Sequence, residues 1–336
     1  MQQKYSQLNK NNQKAPFGLL VSVGNDLVAL HSSFLYRMRS FYTLKHQANR
    51  FLQDIKWLKR EWRSVQAHPV DPFSSETKTN GILHSEAAKM HDMLAADVLQ
   101  KYSTLSLMTE LKTKSGEGVV KFCDVVSGVL RDGLLNDAVI DFGIRMIAES
   151  VDGCITFSSL TLVAGWPKPP SQWLSETSYV VMPINLSSNH WGVIIVEITF
   201  PTTLTVYFYE PLHDHCYRKE LDNTWDYQLR PYLEKWHSQS GSKEPFPKQI
   251  IVKWIGKPSQ PDLKCCGVMV LGIVYAYLRN THRFERHRVT EAYVSVIRLR
   301  LAWLLLCTTK MIPHSEKNLK EMQKTNQEIS KVLLPQ

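Results

Sequence analysis

Gln260-Pro261-Asp262-Leu263-Lys264-Cys265-Cys266-Gly267-Val268-Met269-Val270 runs straight into the apolar segment from Leu271 to Leu278. Past Pro261 the apolar residues Val268, Met269, Leu271, Val274, Tyr275 and Leu278 recur at helical spacing. The spacing predicts a buried helix with Cys265 and Cys266 at or near its N-terminus. Free N–H groups and the dipole at a helix start favour an anion, so a thiol held there loses its proton more readily. A thiolate is the nucleophile of cysteine hydrolases. Gly267 carries no side chain beside the sulfur, which leaves room for a substrate backbone. Gln260, six residues before Cys266, can offer a side-chain amide to a developing oxyanion, with the backbone N–H of Cys266 as the second donor. In the competing reading both cysteines are small apolar residues packed in a core, and the rest of the chain has to decide.

A thiolate needs a base, and the base needs an orienting acid. His190 opens His190-Trp191-Gly192-Val193-Ile194-Ile195-Val196-Glu197-Ile198, a nearly unbroken apolar run that reads as a strand buried on both faces. The run from Leu204 to Leu212 follows after a short break and reads as the second strand of a hairpin, with Glu210 near its end. In an antiparallel pair the start of one strand lies beside the end of the next, so His190 and Glu210 are expected to be neighbours.

Around this centre the chain divides by pattern. Residues 1–16 are rich in Gln, Asn and Lys and read as disordered, and 17–117 read as a helical N-terminal region. Within that region Phe41 to Trp62 and Ile82 to Tyr102 carry apolar residues at helical spacing, separated by the turn-rich stretch 68–81. Asn136-Asp137 is an N-cap followed by an acid in the first turn of a helix carrying Val139, Ile140, Phe142 and Ile144. Strands are expected at Tyr179 to Ile184 and Gln249 to Ile255, a helical stretch at Trp225 to Trp236, a last helix at Val289 to Cys307, and a polar tail over 313–336. Helices followed by strands and then the cysteine-bearing helix make an α+β arrangement.

Composition narrows the class. At 336 residues and 43% hydrophobic the chain has enough apolar surface for a sizeable core. The six cysteines form no CxxC pair, so reduced thiols in a reducing, intracellular compartment are expected, with no metal site and no cofactor. Met1 to Ala15 has no secretory pattern, and Leu301 to Cys307 is too short to span a bilayer, so no membrane partner is expected. The net charge of +9 permits acidic partners, but no nucleic-acid motif accompanies it, and a solvated basic surface is the favoured reading.

The blocks Leu134-Leu135-Asn136-Asp137, Asn189-His190-Trp191, Tyr209-Glu210-Pro211 and Gln260-Pro261 to Cys266-Gly267-Val268 stand in the order of a known family. They resemble the Trp-Leu-Asn-Asp, His-Trp, Asp and Gln to Asp-Cys-Gly-Val blocks of the ubiquitin-like-protein-specific cysteine proteases, the Ulp/SENP group, which is related to the adenoviral proteases. The resemblance covers about residues 118–312. It implies a papain-like α+β fold, with a central mixed sheet flanked by helices. It also implies cleavage after a C-terminal diglycine of a ubiquitin-like modifier, or of its isopeptide bond to lysine.

By that resemblance Cys266 is the nucleophile, His190 the base, Glu210 the orienting acid and Gln260 the oxyanion donor. Trp191, Leu134, Asn136, Asp137 and Gly267 would face the substrate. Three positions depart from the pattern: glutamate stands for aspartate at 210, Cys265 for the aspartate before the nucleophile, and Leu134 for the tryptophan that closes over the diglycine. Leu134 keeps a rival reading open, a protease-like module that binds a modifier without cutting it. An intracellular place, nucleus or cytoplasm, is expected, and family habit and the basic charge suggest the nucleus.

Overall fold

The computed structural model describes residues 17–23, 26–59, 84–126, 128–241, 245–279 and 289–311. The expected disordered start (1–16), the loop 68–81 and the polar tail (313–336) lie outside them. The chain forms two units, Met1–Leu52 and Gln53–Gln336.

The first unit opens on a hairpin ahead of its helix. Strands β1 (Phe17–Val23) and β2 (Asp26–His31) pair antiparallel, Val21 opposite Val28, ahead of helix α1 (Ser32–Lys59). Two short apolar runs on either side of Gly24-Asn25 carry this hairpin signal in the sequence.

In the second unit, helix α2 (His84–Thr104) precedes two short strands, β3 (Glu110–Lys112) and β4 (Val119–Lys121). Helix α3 (Asp137–Ala148) follows, capped by Asn136, whose Oδ1 accepts the Val139 N–H at 3.0 Å. Such a cap is worth about 1 kcal/mol.

The central sheet has the order β5 (Cys154–Thr156), β6 (Tyr179–Leu186), β7 (His190–Thr199), β8 (Thr203–Tyr209), β9 (Gln249–Trp254). Its outer pairs are parallel and its inner pairs antiparallel, so the sheet is mixed. The apolar run that opens at His190 is the middle strand, as its lack of polar alternation predicts. Helices α4 (His215–Thr224) and α5 (Arg230–Gln239), joined by a π-helical turn at Trp225–Leu229, follow β8. Their Leu221, Trp225, Leu233 and Trp236 form one core with Met182, Ile194, Val206 and Phe208 of the sheet.

Helix α6 (Cys266–Leu278) is buried along almost its whole length. Each fully buried Val, Leu, Ile or Met contributes about 1.5–3 kcal/mol, so this helix anchors the domain. Tyr277 meets Tyr207 of β8 edge-on at 4.8 Å between ring centres. Helix α7 (Glu291–Cys307) and strand β10 (Lys310–Met311) close the unit.

Elements before residue 118 belong to the same unit as the sheet. Leu111 of β3 pairs with Val120 of β4 and with Met311 of β10, and Trp303 Nε1 of α7 donates to Asp97 Oδ2 of α2 at 2.9 Å. Strands of two or three residues carry almost no periodic signal, so this ladder is not legible before the chain ends are brought together.

Gly267 has a packing role. A Cβ there would lie 2.9 Å from Ile140 Cδ1 and 3.0 Å from Leu135 Cβ, so its bareness lets α6 pack under α3 and the segment before it. Gly267→Ala is expected to destabilise the protein by about 1–3 kcal/mol through overpacking. Urea unfolding measures this, and an unchanged midpoint would mean that Leu135 and Ile140 yield at no cost.

Candidate active site

Cys266 is the first residue of α6, with its backbone in the position that helix starts leave unpaired, and its side chain is nearly buried. The approach to it is held by Asp262, whose Oδ1 accepts the N–H groups of Lys264 at 2.7 Å and Cys265 at 2.8 Å. The two adjacent thiols therefore differ sharply. Burial, and then the charge and hydrogen bond of Asp262, push the Cys265 thiol well above the usual thiol range, so it stays protonated.

His190, at the start of β7, is paired with Glu210, His190 Nε2 and Glu210 Oε2 lying 3.2 Å apart, and Cys266 acts electrostatically on the same imidazole. The antiparallel register makes this possible: Val193 faces Tyr209, so the first residue after β8 falls beside the first turn of β7. Burial alone would lower the His190 pKa, but the hydrogen bonds and charges of Cys266 and Glu210 outweigh it and push it up to about 9.

Glu210 is 1% exposed and its Oε2 also accepts the Leu212 N–H at 3.0 Å, which fixes the carboxylate in the turn after β8. Its Oε1 lies 3.8 Å from Arg218 Nε of α4. That guanidinium donates from Nη2 to His213 Nδ1 at 2.9 Å and lies over the Trp254 ring at 5.0 Å. Tyr217, the residue before it, stacks on the His190 imidazole with ring centres 4.6 Å apart, and its hydroxyl donates to Asn189 Oδ1 at 3.2 Å.

The remaining residues singled out from the sequence separate into three roles. Gln260 sits beside the site but is turned back on its own loop: Nε2 donates to the Asp262 carbonyl at 2.5 Å, while the buried Oε1 has no partner. Trp191 is buried, and its Nε1 donates to the Leu135 carbonyl at 2.9 Å, tying β7 to the segment before α3. Leu134 is 58% exposed and offers an apolar surface on that segment. The Asn136 side chain is spent on the helix cap and Asp137 stands in the first turn of α3. The stacking Tyr217, the cation Arg218 and a buried Arg298 were not singled out from the sequence. No local pattern marks them.

A cysteine at the start of a central helix, beside a paired histidine and glutamate on a mixed sheet, is the arrangement of the cysteine proteases. The chain is a protease of that class. Residues 158–310 match the family model for the Ulp1 protease family, C-terminal catalytic domain. The match includes His190, Glu210, Gln260 and Cys266 and stops short of Leu134, Asn136 and Asp137.

Among solved structures, the C-terminal Ulp1 protease domain in complex with Smt3, the yeast ortholog of SUMO, is 19% identical. That alignment covers 65% of this chain and 94% of that one, with a TM-score of 0.48. The Ulp1-like SUMO protease catalytic domain of Chaetomium thermophilum is 17% identical over 64% of this chain and 89% of that one, also with a TM-score of 0.48. Xanthomonas XopD is 17% identical over 50% and 99%, with a TM-score of 0.29. Among curated proteins, none matches the chain. Among the described residues no helix is long and apolar enough to cross a membrane.

Two outcomes follow from the site. Burial raises the thiols of Cys123, Cys154, Cys265 and Cys307, to about 12 for Cys154 and about 11 for Cys307. Iodoacetamide near neutral pH is therefore expected to label Cys266 ahead of these four, read by peptide mass spectrometry; equal labelling would remove its special status. For pH, a raised histidine pKa means that the imidazolium persists below about 9 and is lost as pH rises through it. Activity that depends on this cation falls over the same range. Glu210→Gln removes one interaction that raises the pKa, so the fall moves to lower pH. An alkaline limb of kcat/KM that stays in place would separate Glu210 from His190.

Proposed function

We propose that the protein cleaves the peptide or isopeptide bond at the C-terminus of a ubiquitin-like modifier, in maturation or deconjugation, through Cys266, His190 and Glu210. The observation that carries this reading is that the buried His190 is paired with Glu210 at 3.2 Å and has its pKa raised by both Cys266 and Glu210. The substrate class comes from the family resemblance and the family match over 158–310.

In the forward step the Cys266 thiolate attacks the scissile carbonyl carbon and forms a C–S bond. The carbonyl oxygen becomes an oxyanion. The backbone N–H of Cys266 and the Gln260 amide are the donors for it, once Nε2 leaves the Asp262 carbonyl. The His190 imidazolium gives its proton to the departing amine as the C–N bond breaks. Water then attacks the thioester, His190 takes its proton, and the carboxylate product and the thiolate separate. Glu210 holds the imidazole and offsets its charge throughout. Exposed Leu134 stands where the chain of a bound modifier would be covered, a weaker apolar cover than an indole.

A second reading, a domain that holds a modifier without cutting it, draws on the engaged state of Gln260. Incubating the full chain and its Cys266→Ala variant with a panel of ubiquitin-like modifiers bearing an electrophilic C-terminus separates the two. A covalent adduct with one modifier, absent in the variant, is expected. Binding without an adduct would favour the second reading. Gln260→Ala is expected to lower kcat on the order of a hundredfold with little change in KM; unchanged turnover would take Gln260 out of the oxyanion site.

A further inference from the structure

The two carboxylate oxygens of Glu210 are engaged unequally. Oε2 lies 3.2 Å from His190 Nε2 and accepts the Leu212 N–H at 3.0 Å. Oε1 is buried and has no hydrogen-bond partner. The charged group that reaches it is the Arg218 guanidinium of α4, whose Nε lies 3.8 Å away and is itself buried without a hydrogen-bond partner. A buried acceptor and a buried donor of opposite charge thus stand side by side, each in need of the other.

Arg218 is held there from two further sides. Its Nη2 donates to His213 Nδ1 at 2.9 Å, and its Cζ lies 5.0 Å from the centre of the Trp254 ring of β9. Burial holds the His213 pKa below its ordinary value against the opposing charge of Glu210, and Arg218 adds to the lowering. The ring is therefore uncharged near neutral pH, and Nδ1 is able to accept. The turn after β8 makes the approach possible. His213 takes a positive φ of 58°, and Asp214 Oδ1 caps α4 by accepting the Cys216 and Tyr217 N–H groups at 2.8 and 3.3 Å. The chain so turned returns Arg218 to the carboxylate it left at Glu210.

A glutamate needs such a contact more than an aspartate does. Its last torsion is broad, so packing alone does not fix the plane of the carboxylate. It also has one more rotatable bond than the aspartate of the family pattern. With the Leu212 N–H and His190 on Oε2 and a cation beside Oε1, both ends of the carboxylate are held and its plane is set.

We infer that Arg218 is a positioning residue for the reaction: its guanidinium, anchored on Trp254 and His213, holds the Oε1 side of Glu210 and so fixes the carboxylate that orients His190. Arg218 acts through Glu210 and not on the substrate. The inference rests on the reading of Glu210 as the partner of the catalytic base.

The test is a double-variant cycle in the full chain. It measures kcat and KM on a panel of ubiquitin-like modifiers carrying a C-terminal aminomethylcoumarin amide, with folding checked by circular dichroism. Arg218→Met keeps an unbranched stem over Trp254 and removes the guanidinium. It is expected to lower kcat about tenfold with KM changed less than about twofold, and to cost at most about twofold when added to Glu210→Gln. A merely structural arginine would cost the same factor in both backgrounds.

The outcomes separate the inference from the reading beneath it. If no member of the panel is turned over, or if Glu210→Gln leaves kcat unchanged, the reading of the site fails and the inference falls with it. If Glu210→Gln slows turnover, that reading stands. Arg218→Met then overturns the inference alone when it costs equally in both backgrounds, leaves kcat unchanged, or acts on KM only. Should the Met variant not fold, Arg218→Lys takes its place in the cycle. It keeps the charge but loses the planar fork that bonds His213 and stacks on Trp254, and a kcat loss of about threefold is expected beside Glu210 and none in the Glu210→Gln background. Equal losses, or no loss in either, overturn the inference.

Discussion

The His190 imidazole between Cys266 and Glu210 is the interaction on which the rest of the site depends. Cation and carboxylate both lie out of water, and either alone in that place would be expensive. The histidine is held in its charged form: the pull of Cys266 and Glu210 exceeds the opposing effect of burial, and its pKa is pushed up to about 9. Keeping them together requires three separate pieces of structure to end at one point. The β7–β8 hairpin brings His190 beside Glu210, α6 begins at Cys266, and Tyr217 of α4 covers the ring. The turn after β8 completes the carboxylate by lending it the Leu212 N–H.

Around that point the structure spends its polar side chains on holding loops. Asp54 is fully buried and accepts from Tyr102 at 2.9 Å and from Arg131 at 2.7 Å, pinning the segment before α3 to the helices beneath it. Arg131 adopts a positive φ of 59°, a conformation that costs a non-glycine residue energy and that the ion pair with Asp54 helps to hold. Arg298 and the Lys264–Asp132 pair grip the same segment from the nucleophile's side. Trp191 ties it to the sheet through the Leu135 carbonyl. The wall that carries exposed Leu134 is therefore a fixed surface, and its width is set by contacts remote from it in sequence.

The departures from the family pattern fit this frame. Glutamate at 210 reaches one bond further than aspartate, and the extra reach is taken up by the Leu212 N–H and the nearby Arg218. Cys265 does not compete with its neighbour, because it is buried against Asp262 and kept as a thiol. Gly267, which reads in the sequence as an opening for substrate, is where α6 passes under Leu135 and Ile140.

Much of the sheet and the nucleophile helix can be read from the chain itself. The unbroken apolar run at His190, the alternation that follows it and the helical spacing after Pro261 are local signals. They specify the central strand, its antiparallel partner and the helix start, and with them the neighbourhood of His190 and Glu210. The short strands β3, β4 and β10 escape such a reading, since two or three residues without a clear period are ambiguous alone and form only against a partner.

What the sequence by itself determined is the set of residues able to do the chemistry and the ends of elements on which they sit. Only the tertiary structure decided which cysteine carries a partnered thiol, which histidine face Tyr217 covers, and where the buried guanidinium of Arg298 lies. The physical reason is distance along the chain. Periodicity reports what a residue's near neighbours bury, whereas the contact between Arg298 and Gly128 joins residues 170 positions apart and exists only once the core between them has closed.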